Sequence, residues 1–504
     1  MTLLIMPIGT TFAAPSAPIV SVTGGKVQGI GTDEGVLSYR GIPYAADTSG
    51  SNRFRAPQPA VAWTGVLDAS AYGPICPGFG GLPPPGAIEA PEGNDPNLTA
   101  PSEDCLRLNV WTPAADAGKR AVIVYLHGGG FVTGSGNISW YDGSNLAKNQ
   151  DVVFVSINYR LNIFGFLYLG GIDPTYAQDG NAGLQDIVAA LGWVHDNIAQ
   201  FGGDPANVTV MGQSAGAQAA VTLMGIPAAK GLFSRVIADS PSSDLPASAE
   251  QATGQAHGAL EQLGVSADLS KLGDLPWDKV IGAFTGNGPV VDGTFMPTGL
   301  TLADAAAMSP DVTLLIGWNA TENTFFEGPE VIADGQTMDA ALTKKLGSGA
   351  ARLQTLIDAY HRAFPAITEN ELYFRISADL DFGKSVLDTA KAKAALNKAP
   401  VYVYQFAGRT TVRNLMTPHT LELGYVLDNL AMTKALSGLP TKPMQSLATS
   451  TSAAWAAFAK TGIPSLPEWT PFDPGLPSVM RIGDTPSMAP LSAATSIAVD
   501  WTGH

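Results

Sequence analysis

The segment Gly212-Gln213-Ser214-Ala215-Gly216 decides which fold this chain is expected to adopt. It follows an apolar, β-branched run, Val208-Thr209-Val210-Met211, and it precedes a run of small residues that reaches Ala220. This context predicts a strand that turns sharply into a helix, with the serine hydroxyl projecting from a strained turn. Glycines flank the serine because a side chain at either position would collide with the neighbouring strand or helix. The segment therefore predicts a nucleophile elbow centred on Ser214.

Apolar runs on both sides of this segment alternate with a helical pattern. The runs at 121–126 and 152–157 are continuous, which is typical of strands buried on both faces. Apolar residues between Leu184 and Ile198 repeat at close to 3.6 residues and predict an amphipathic helix. Further strand candidates follow the serine at 233–238, 312–316 and 401–406. This alternation predicts an α/β fold with a large, mostly parallel central sheet.

The remaining segments differ from this pattern. Residues 18–45 alternate short β-rich runs with glycine turns, which suggests an antiparallel edge of the sheet. Residues 241–310 and 327–398 are helical in pattern, and we expect them to be insertions that cover the sheet. Because no repeat or obvious linker divides the chain, a single domain over 18–504 is expected.

Composition and charge exclude several classes of partner. The chain has 504 residues, of which 45% are hydrophobic and 14% charged, as in ordinary globular proteins. A net charge of −16 argues against binding to nucleic acid and to anionic membrane surfaces. No apolar stretch reaches the roughly 18 residues that a membrane span requires, so no stable membrane association is expected.

The N-terminal sequence and the cysteines suggest export. Residues 1–14 resemble the apolar core and small-residue end of a secretory signal, although no basic residue precedes Lys26. We therefore interpret 1–17 as a partial signal segment, with a frayed terminus as the alternative. Cys76 and Cys105 are the two cysteines of the chain, and a disulfide between them would fit a secreted or periplasmic protein. The alternative is a pair of buried thiols.

A nucleophilic serine requires a base, which histidine supplies near neutral pH. Five of the six histidines lie where a base is not expected, in a glycine run, in helical patterns or at the terminus: His127, His195, His257, His361 and His504. His419 lies in the loop after the strand candidate at 401–406, and such loops emerge at the carboxyl edge of the sheet, where ligands bind. His419 is therefore the candidate base, and a loop histidine without a role is the alternative.

The acid that orients the base should lie between the serine and the histidine in the chain. Glu322 follows the strand candidate at 312–316 by a short loop. Glu327, Asp292 and Glu422 compete with it, and the residues alone favour Glu322 only weakly.

The run His127-Gly128-Gly129-Gly130-Phe131 matches a loop that stabilises an oxyanion. Glycines allow backbone N–H groups to point at one spot, and the predicted donors are the amides of Gly129, Gly130 and Ala215. Such donors are worth about 3–4 kcal/mol each in the transition state. The alternative is a flexible turn.

With these residues identified, most of the chain resembles the type B carboxylesterases, the family that includes the cholinesterases. The segments that carry the resemblance are Gly41-Ile42-Pro43-Tyr44-Ala45, Arg53-Phe54, residues 102–111 (SEDCLRLNVW), Asn158-Tyr159-Arg160-Leu161 and residues 181–216. The resemblance implies an α/β-hydrolase fold and a catalytic triad of Ser214, Glu322 and His419, with no metal or organic cofactor. It favours Glu322 over Glu327, because the family places the acid five residues beyond the glycine that matches Gly317. It also supports the bridge between the two cysteines and implies that Ser240 supports the acid and the histidine.

Three positions depart from the family pattern. Asn323 stands where a glycine usually follows the acid, and Pro241 stands where a glycine usually follows the supporting serine. Asp95 occupies the position of the tryptophan with which cholinesterases bind the choline cation. Choline esters are therefore not expected as substrates.

The resemblance implies a serine carboxylesterase that hydrolyses small carboxylic esters through an acyl-enzyme. Four aromatic residues beside the motifs are candidates for an apolar substrate pocket, or else ordinary core: Phe131, Trp318, Phe325 and Phe326. The alternatives are a lipase that acts on longer-chain glycerides and a non-catalytic adhesion module.

Overall fold

A 13-stranded sheet forms the centre of the molecule. The computed structural model describes residues 16–32, 34–78, 95–243, 246–283, 286, 288–332, 335–346 and 352–500. The strands are β1 (Ser16–Val22), β2 (Gly25–Gly31), β3 (Leu37–Pro43), β4 (Val66–Asp68), β5 (Arg107–Thr112), β6 (Arg120–Leu126), β7 (Val153–Ile157), β8 (Gly203–Gln213), β9 (Arg235–Asp239), β10 (Ala247–Ser248), β11 (Val290–Val291), β12 (Thr313–Asn319), β13 (Val401–Phe406), β14 (Ser478–Ile482) and β15 (Ser487–Pro490).

The order of the strands places the predicted parallel region at the middle of the sheet. The order is β1-β2-β3-β5-β7-β6-β8-β9-β12-β13-β14-β15, with β4 paired to β2, and β10 and β11 form a separate small pair. From β7 to β14 all neighbours are parallel. Along β1-β2-β3-β5-β7 and between β14 and β15 the pairing is antiparallel. The predicted mostly parallel sheet and its antiparallel N-terminal edge are therefore confirmed.

Helices cover both faces of the sheet. They are α1 (Ser144–Gln150), α2 (Asn162–Phe166), α3 (Ala182–Asn197), α4 (Ala215–Leu223), α5 (Ala249–Leu263), α6 (Trp277–Val280), α7 (Leu302–Met308), α8 (Thr324–Glu327), α9 (Gly335–Leu346), α10 (Leu353–Ala363), α11 (Glu369–Ala378), α12 (Lys384–Ala394), α13 (Leu423–Val426), α14 (Lys434–Ser437), α15 (Lys442–Thr461) and α16 (Ala493–Val499). None of the helices in the described ranges is long and apolar enough to cross a membrane.

The core has two main layers because side chains alternate between the faces of a strand. Val122 and Val124 of β6 pack in one cluster with apolar residues of α3 and α4. Ile123 and Tyr125 pack in another cluster, with residues of α1 and α15. Burial on both faces explains why the central strands are continuous apolar runs.

The strand candidates match observed strands at the centre of the sheet. Some strands nearer its edges were not predicted. The candidate at 401–406 coincides with β13, and the one at 208–211 is the buried end of the longer β8. The sheet continues beyond β13 through β14 and β15, so 401–406 is not its last strand. The predicted helical insertion at 241–310 contains α5, α6 and α7, and the one at 327–398 contains α9 to α12.

The N-terminal predictions fall partly outside the described residues. Residues 1–15, most of the predicted signal segment, lie there, whereas Ser16 and Ala17 belong to β1. The two cysteines form a buried disulfide bridge between Cys76 and Cys105. Residues 79–94 of the loop that this bridge closes also lie outside the described part of the chain.

Candidate active site

Ser214 lies at the turn between β8 and α4, as the strand–turn–helix prediction requires. Its backbone has φ 57° and ψ −124°, an uncommon conformation for a residue other than glycine. Such a conformation costs on the order of 1–3 kcal/mol and persists only when the surroundings enforce it. Here the amide of Ser214 donates to the carbonyl of Asp239 at 2.9 Å, which ties the turn to the end of β9.

The glycines that flank the serine are required by close backbone contacts. A Cβ atom at Gly212 would lie 2.1 Å from the carbonyl oxygen of Gly216, and one at Gly216 would lie 2.1 Å from that of Leu126. Any side chain at either position would therefore push α4 away from the sheet. The sharp turn at Ser214 depends on both glycines.

His419 and Glu322 are brought together in the buried region beside this turn. Nδ1 of His419 lies 2.5 Å from Oε2 of Glu322, and the backbone amide of His419 donates to the carbonyl of Glu322 at 3.1 Å. The other carboxylate oxygen accepts from Ser240 Oγ and from the amide of Asn319, both at 2.6 Å. Because an ionised carboxylate can only accept, Nδ1 carries a proton and Nε2 presents its lone pair.

The three competing acids have other partners. Glu327 accepts a hydrogen bond from the hydroxyl of Tyr373 at 2.7 Å. Asp292 accepts from backbone amides of the turn that follows it. Glu422 accepts from the side chain of Asn319 at 2.5 Å. Of the four candidates, Glu322 is the one that contacts the imidazole.

Nε2 of His419 is contacted by Gln213, which precedes the serine. The distance between Gln213 Nε2 and His419 Nε2 is 3.0 Å, and both side chains are buried. Among the described residues, Ser214 Oγ makes no hydrogen bond to His419, although the serine is the next residue after Gln213. Catalytic hydrogen bonds are often long in unliganded enzymes and shorten when substrate binds.

Three phenylalanine rings surround the imidazole of His419. The ring centroids of Phe325, Phe326 and Phe382 lie 6.1, 5.1 and 5.0 Å from that of His419. Phe382 belongs to a π-helical turn, Asp379–Gly383, in the insertion at 327–398. No motif marks this residue in the sequence, and only the folding of the insertion over the sheet brings it to the site.

The other two aromatic candidates have other partners. Trp318 is fully buried, and its indole N–H donates to Asp379 at 2.9 Å. Phe131 packs edge-on against Phe166 with the centroids 5.1 Å apart. Two of the four candidate pocket residues therefore lie beside the imidazole, and for these two the described residues show no ring contact with it.

The glycine loop lies against the nucleophile turn. A Cβ atom at Gly128 would lie 3.0 Å from Cβ of Ser214. The φ angles of Gly129 and Gly130 are 111° and 62°, in the region that favours glycine. At Gly129 a Cβ atom would also lie 2.3 Å from the carbonyl oxygen of Thr133. The loop thus needs glycine for its close approach and for its conformation.

His127 holds this loop in place. Its Nδ1 lies 2.8 Å from the carbonyl oxygen of Gly128, and its ring stacks on Tyr159 at 4.4 Å. Burial lowers the pKa of His127 to about 4, so the ring is neutral at neutral pH. The interpretation that His127 belongs to the glycine loop fits these contacts.

Two further carboxyl groups are buried behind the site. Burial, together with the charge of Glu322, raises the pKa of Glu422 well above its ordinary value. Burial raises the pKa of Asp239 to about 7, and this carboxyl accepts a hydrogen bond from Tyr404 at 2.6 Å. Asn319 joins Glu322 and Glu422, because its backbone amide donates to the first and its side chain to the second. Burial thus favours the protonated form of Glu422.

The three residues that depart from the family pattern are Asn323, Pro241 and Asp95, and the structure shows the surroundings of each. The side chain of Asn323 donates to Asp381 at 2.8 Å and so joins the segment after Glu322 to the covering insertion. Pro241 is buried beside Ser240. Asp95 accepts a hydrogen bond from the amide of Ser139 at 2.7 Å.

Comparison with known proteins gives a consistent result. The family model described as "Carboxylesterase family" matches residues 16–498. The para-nitrobenzyl esterase of Bacillus subtilis is 36% identical over 467 residues, which cover 89% of this chain and 90% of the esterase. The phenmedipham hydrolase of Pseudarthrobacter oxydans is 33% identical and covers 93% of this chain and 95% of its own length.

The fold is shared with solved carboxylesterases. A Geobacillus stearothermophilus carboxylesterase superposes with a TM-score of 0.80 and 33% identity, covering 96% of this chain and all of the other. The architecture is thus the α/β-hydrolase fold, as the sequence resemblance implied. The match over nearly the whole chain, in sequence and in structure, shows that this protein belongs to the carboxylesterase family and is a carboxylic ester hydrolase.

Proposed function

We propose that the chain hydrolyses small carboxylic esters with Ser214 as nucleophile, His419 as base and Glu322 as the acid that orients the base. One observation carries this proposal. Nδ1 of His419 lies 2.5 Å from the buried carboxylate of Glu322. Nε2 of the same ring is contacted by Gln213, the residue that immediately precedes Ser214. Base, acid and nucleophile turn therefore meet in one buried region.

In the first step the Ser214 oxygen attacks the ester carbonyl while its proton moves to Nε2 of His419. The imidazolium that forms is stabilised by Glu322, whose other oxygen remains bonded to Ser240 and Asn319. These bonds fix the carboxylate before the reaction, so little reorganisation is needed.

The negative charge that develops on the carbonyl oxygen requires donors. We assign this role to the backbone amides of Gly129, Gly130 and Ala215, because the glycine loop lies against the serine turn. The first residue of α4 is Ala215, so its amide also benefits from the helix N-terminus. The tetrahedral intermediate then expels the alcohol as His419 returns the proton.

The acyl-enzyme is hydrolysed by the same groups. Water, activated by His419, attacks the ester of Ser214 and releases the carboxylic acid. The chemistry needs no metal or organic cofactor. Phe325, Phe326 and Phe382 supply an apolar wall beside the imidazole, which suits an aromatic or aliphatic part of the substrate.

Replacement of the serine tests the mechanism. With p-nitrophenyl acetate, Ser214→Ala should lower kcat by roughly 10⁴-fold or more and abolish covalent labelling by an organophosphonate. The exposed Ser465 offers a matched control, and Ser465→Ala should retain wild-type rates and labelling. Turnover or labelling that survives in Ser214→Ala would show that another residue is the nucleophile.

The range of substrates is tested with p-nitrophenyl esters of increasing acyl length. Two relatives are named for para-nitrobenzyl esters and for phenmedipham. We therefore propose a preference for aromatic alcohols, and, because we propose an esterase rather than a lipase, for short acyl chains. A rate that rises steadily toward long acyl chains would favour the lipase alternative instead.

We also propose that the protein is exported. The disulfide between Cys76 and Cys105 supports this, since such bridges persist in oxidising compartments. The signal-like residues 1–14 agree with it. Fractionation of expressing cells, followed by the N-terminal sequence of the exported form, tests this proposal; an uncleaved protein confined to the cytoplasm would refute it.

A further inference from the structure

The reactive nitrogen of His419 is contacted by an uncharged side chain. Gln213 is the last residue of β8, it is buried, and its Nε2 lies 3.0 Å from Nε2 of His419. Because Nδ1 carries the proton that faces Glu322, the other nitrogen presents its lone pair. The amide group of Gln213 therefore donates a hydrogen bond to the lone pair that must accept the proton of Ser214.

The side chain of Gln213 is confined between the imidazole and the glycine loop. A Cβ atom at Gly128 would lie 2.7 Å from Oε1 of Gln213. The absence of a side chain at Gly128 leaves the space that this amide occupies. The contact thus depends on two motifs that are far apart in the sequence.

Other ionisable groups lie on the elements around the imidazole. Glu322 contacts Nδ1, and Glu422, whose pKa is raised by burial, is joined to Glu322 through Asn319. On the covering insertion, Asp381 forms an ion pair with Lys345 at 2.6 Å. Within the described residues, the side chain that reaches Nε2 is that of Gln213, which is polar and uncharged.

We propose, on the basis of the function proposed above, that Gln213 is a positioning residue for the base in both of its protonation states. In the free enzyme the amide N–H of Gln213 donates to the lone pair of Nε2, and it releases this lone pair when the hydroxyl of Ser214 takes its place for proton transfer. When Ser214 has transferred its proton, a half-turn of the amide group presents Oε1, which accepts a hydrogen bond from Nε2–H. One neutral side chain thus fixes the ring before and after proton transfer.

The alternatives to glutamine at this position have different consequences. A glutamate would stabilise only the imidazolium and would hold a proton on the base of the free enzyme. A methionine, which has a similar size and no amide, would hold neither state. The two replacements therefore separate the effect of charge from the effect of the hydrogen bond.

The experiment measures kcat and KM for p-nitrophenyl acetate between pH 5 and 9. For Gln213→Glu we expect the acid limb of the kcat/KM profile to move up by about 1 pH unit or more, because the new carboxylate favours the charged ring. For Gln213→Met we expect an unmoved limb and a kcat that is lower by roughly 10-fold at unchanged KM, because the ring is less well oriented. Gln218→Glu, which adds the same charge on α4, should leave the limb in place.

The outcomes distinguish the proposed positioning role of Gln213 from a purely structural role. They also distinguish a failure of this proposal from a failure of the proposed esterase function. If Gln213→Glu leaves the limb unmoved, or if Gln213→Met keeps the wild-type kcat, the proposal is overturned. A structural role would lower the rates of both variants equally and leave the limb in place. The proposed function is tested separately with an organophosphonate at pH 8. If both Gln213 variants are labelled stoichiometrically and Ser214→Ala is not labelled, the proposed function stands even when the proposal for Gln213 fails.

Discussion

At the residue scale, the orientation of His419 depends on a carboxylate that is fully buried and held by several donors. Glu322 accepts hydrogen bonds from the imidazole, from Ser240 and from the amide of Asn319. Such a carboxylate is fixed in place by its donors, and in the proposed mechanism it stabilises the charge that forms on the ring. Glu327 lies five residues later and contacts Tyr373 instead.

These two glutamates form a matched pair for a test of the acid. Glu322→Gln removes the charge that stabilises the imidazolium, and we expect kcat/KM to fall by roughly 10³–10⁴-fold. Glu327→Gln removes the same charge from a residue that does not touch the ring, and we expect less than about a 3-fold change. Steady-state rates on p-nitrophenyl acetate, with circular dichroism to verify folding, decide between them. The reverse ranking would mean that Glu327 is the acid.

Most of the candidate site could be proposed from the sequence because each of these residues belongs to a local pattern. Ser214 stands in its pentapeptide, and the glycine loop and Glu322 follow strands at fixed spacing. Phe382 and the contact from Gln213 to His419 belong to no such pattern. Both depend on how segments that are distant in the chain fold together, and a single sequence contains no direct record of those contacts.

At the element scale, the ends of neighbouring parallel strands are joined by buried polar groups. Asp239 ends β9, and its side chain accepts a hydrogen bond from Tyr404 of β13 at 2.6 Å and one from Trp455 of α15 at 3.4 Å. Its other carboxylate oxygen has no partner among the described residues. Burial without a neutralising cation raises the pKa of Asp239 to about 7.

This raised pKa predicts a stability that falls as the pH rises. In the unfolded chain the aspartic acid releases its proton near its ordinary pKa of 3.8, whereas the folded protein keeps that proton up to about pH 7. Between these values the folded state binds more protons, so the free energy of unfolding decreases with increasing pH. Asp239→Asn keeps an acceptor for Tyr404 and removes the titration. We expect this variant to gain on the order of 2–4 kcal/mol relative to wild type between pH 5 and pH 8.

Urea unfolding at both pH values measures the difference. The exposed Asp484 provides the control, because Asp484→Asn should change stability by the same small amount at pH 5 and at pH 8. An Asp239→Asn variant whose stability relative to wild type is independent of pH would show that this carboxyl does not titrate in the range.

Strands were predictable where burial on both faces makes the apolar run continuous, as in β6 and β13. β5 escaped prediction because its run is interrupted by the buried Asn109, whose side chain binds Gly41 and Ser156. β14 and β15 are short strands at the edge, where fewer positions need to be apolar. A buried polar residue inside the sheet and the short length of edge strands are thus the reasons that the sequence pattern missed these three strands.

At the scale of the whole molecule, the N-terminal region is joined to the rest by buried ionic and covalent links. Arg53 binds Glu103 through two hydrogen bonds of 2.6 and 2.5 Å and donates to the carbonyls of Leu272 and Leu275 in the insertion at 241–310. Two residues after Glu103, Cys105 forms the disulfide with Cys76. The segment that precedes β5 is thus linked to the insertion at 241–310 by Arg53 and is closed by the disulfide.

The disulfide is expected to stabilise the fold chiefly by restricting the unfolded chain. Its cysteines are separated by 29 residues, and closing a loop of this length is worth about 3–4 kcal/mol in the chain-entropy model. Cys76→Ser/Cys105→Ser should therefore lower the free energy of urea unfolding by roughly that amount. Because neither cysteine contacts His419 or Ser214, kcat at 25 °C should stay within about 3-fold of wild type. A reductant should lower the stability of the wild type toward that of the double variant and leave the variant unchanged. Equal unfolding curves for the oxidised wild type and the double variant would show that the bridge does not stabilise this fold.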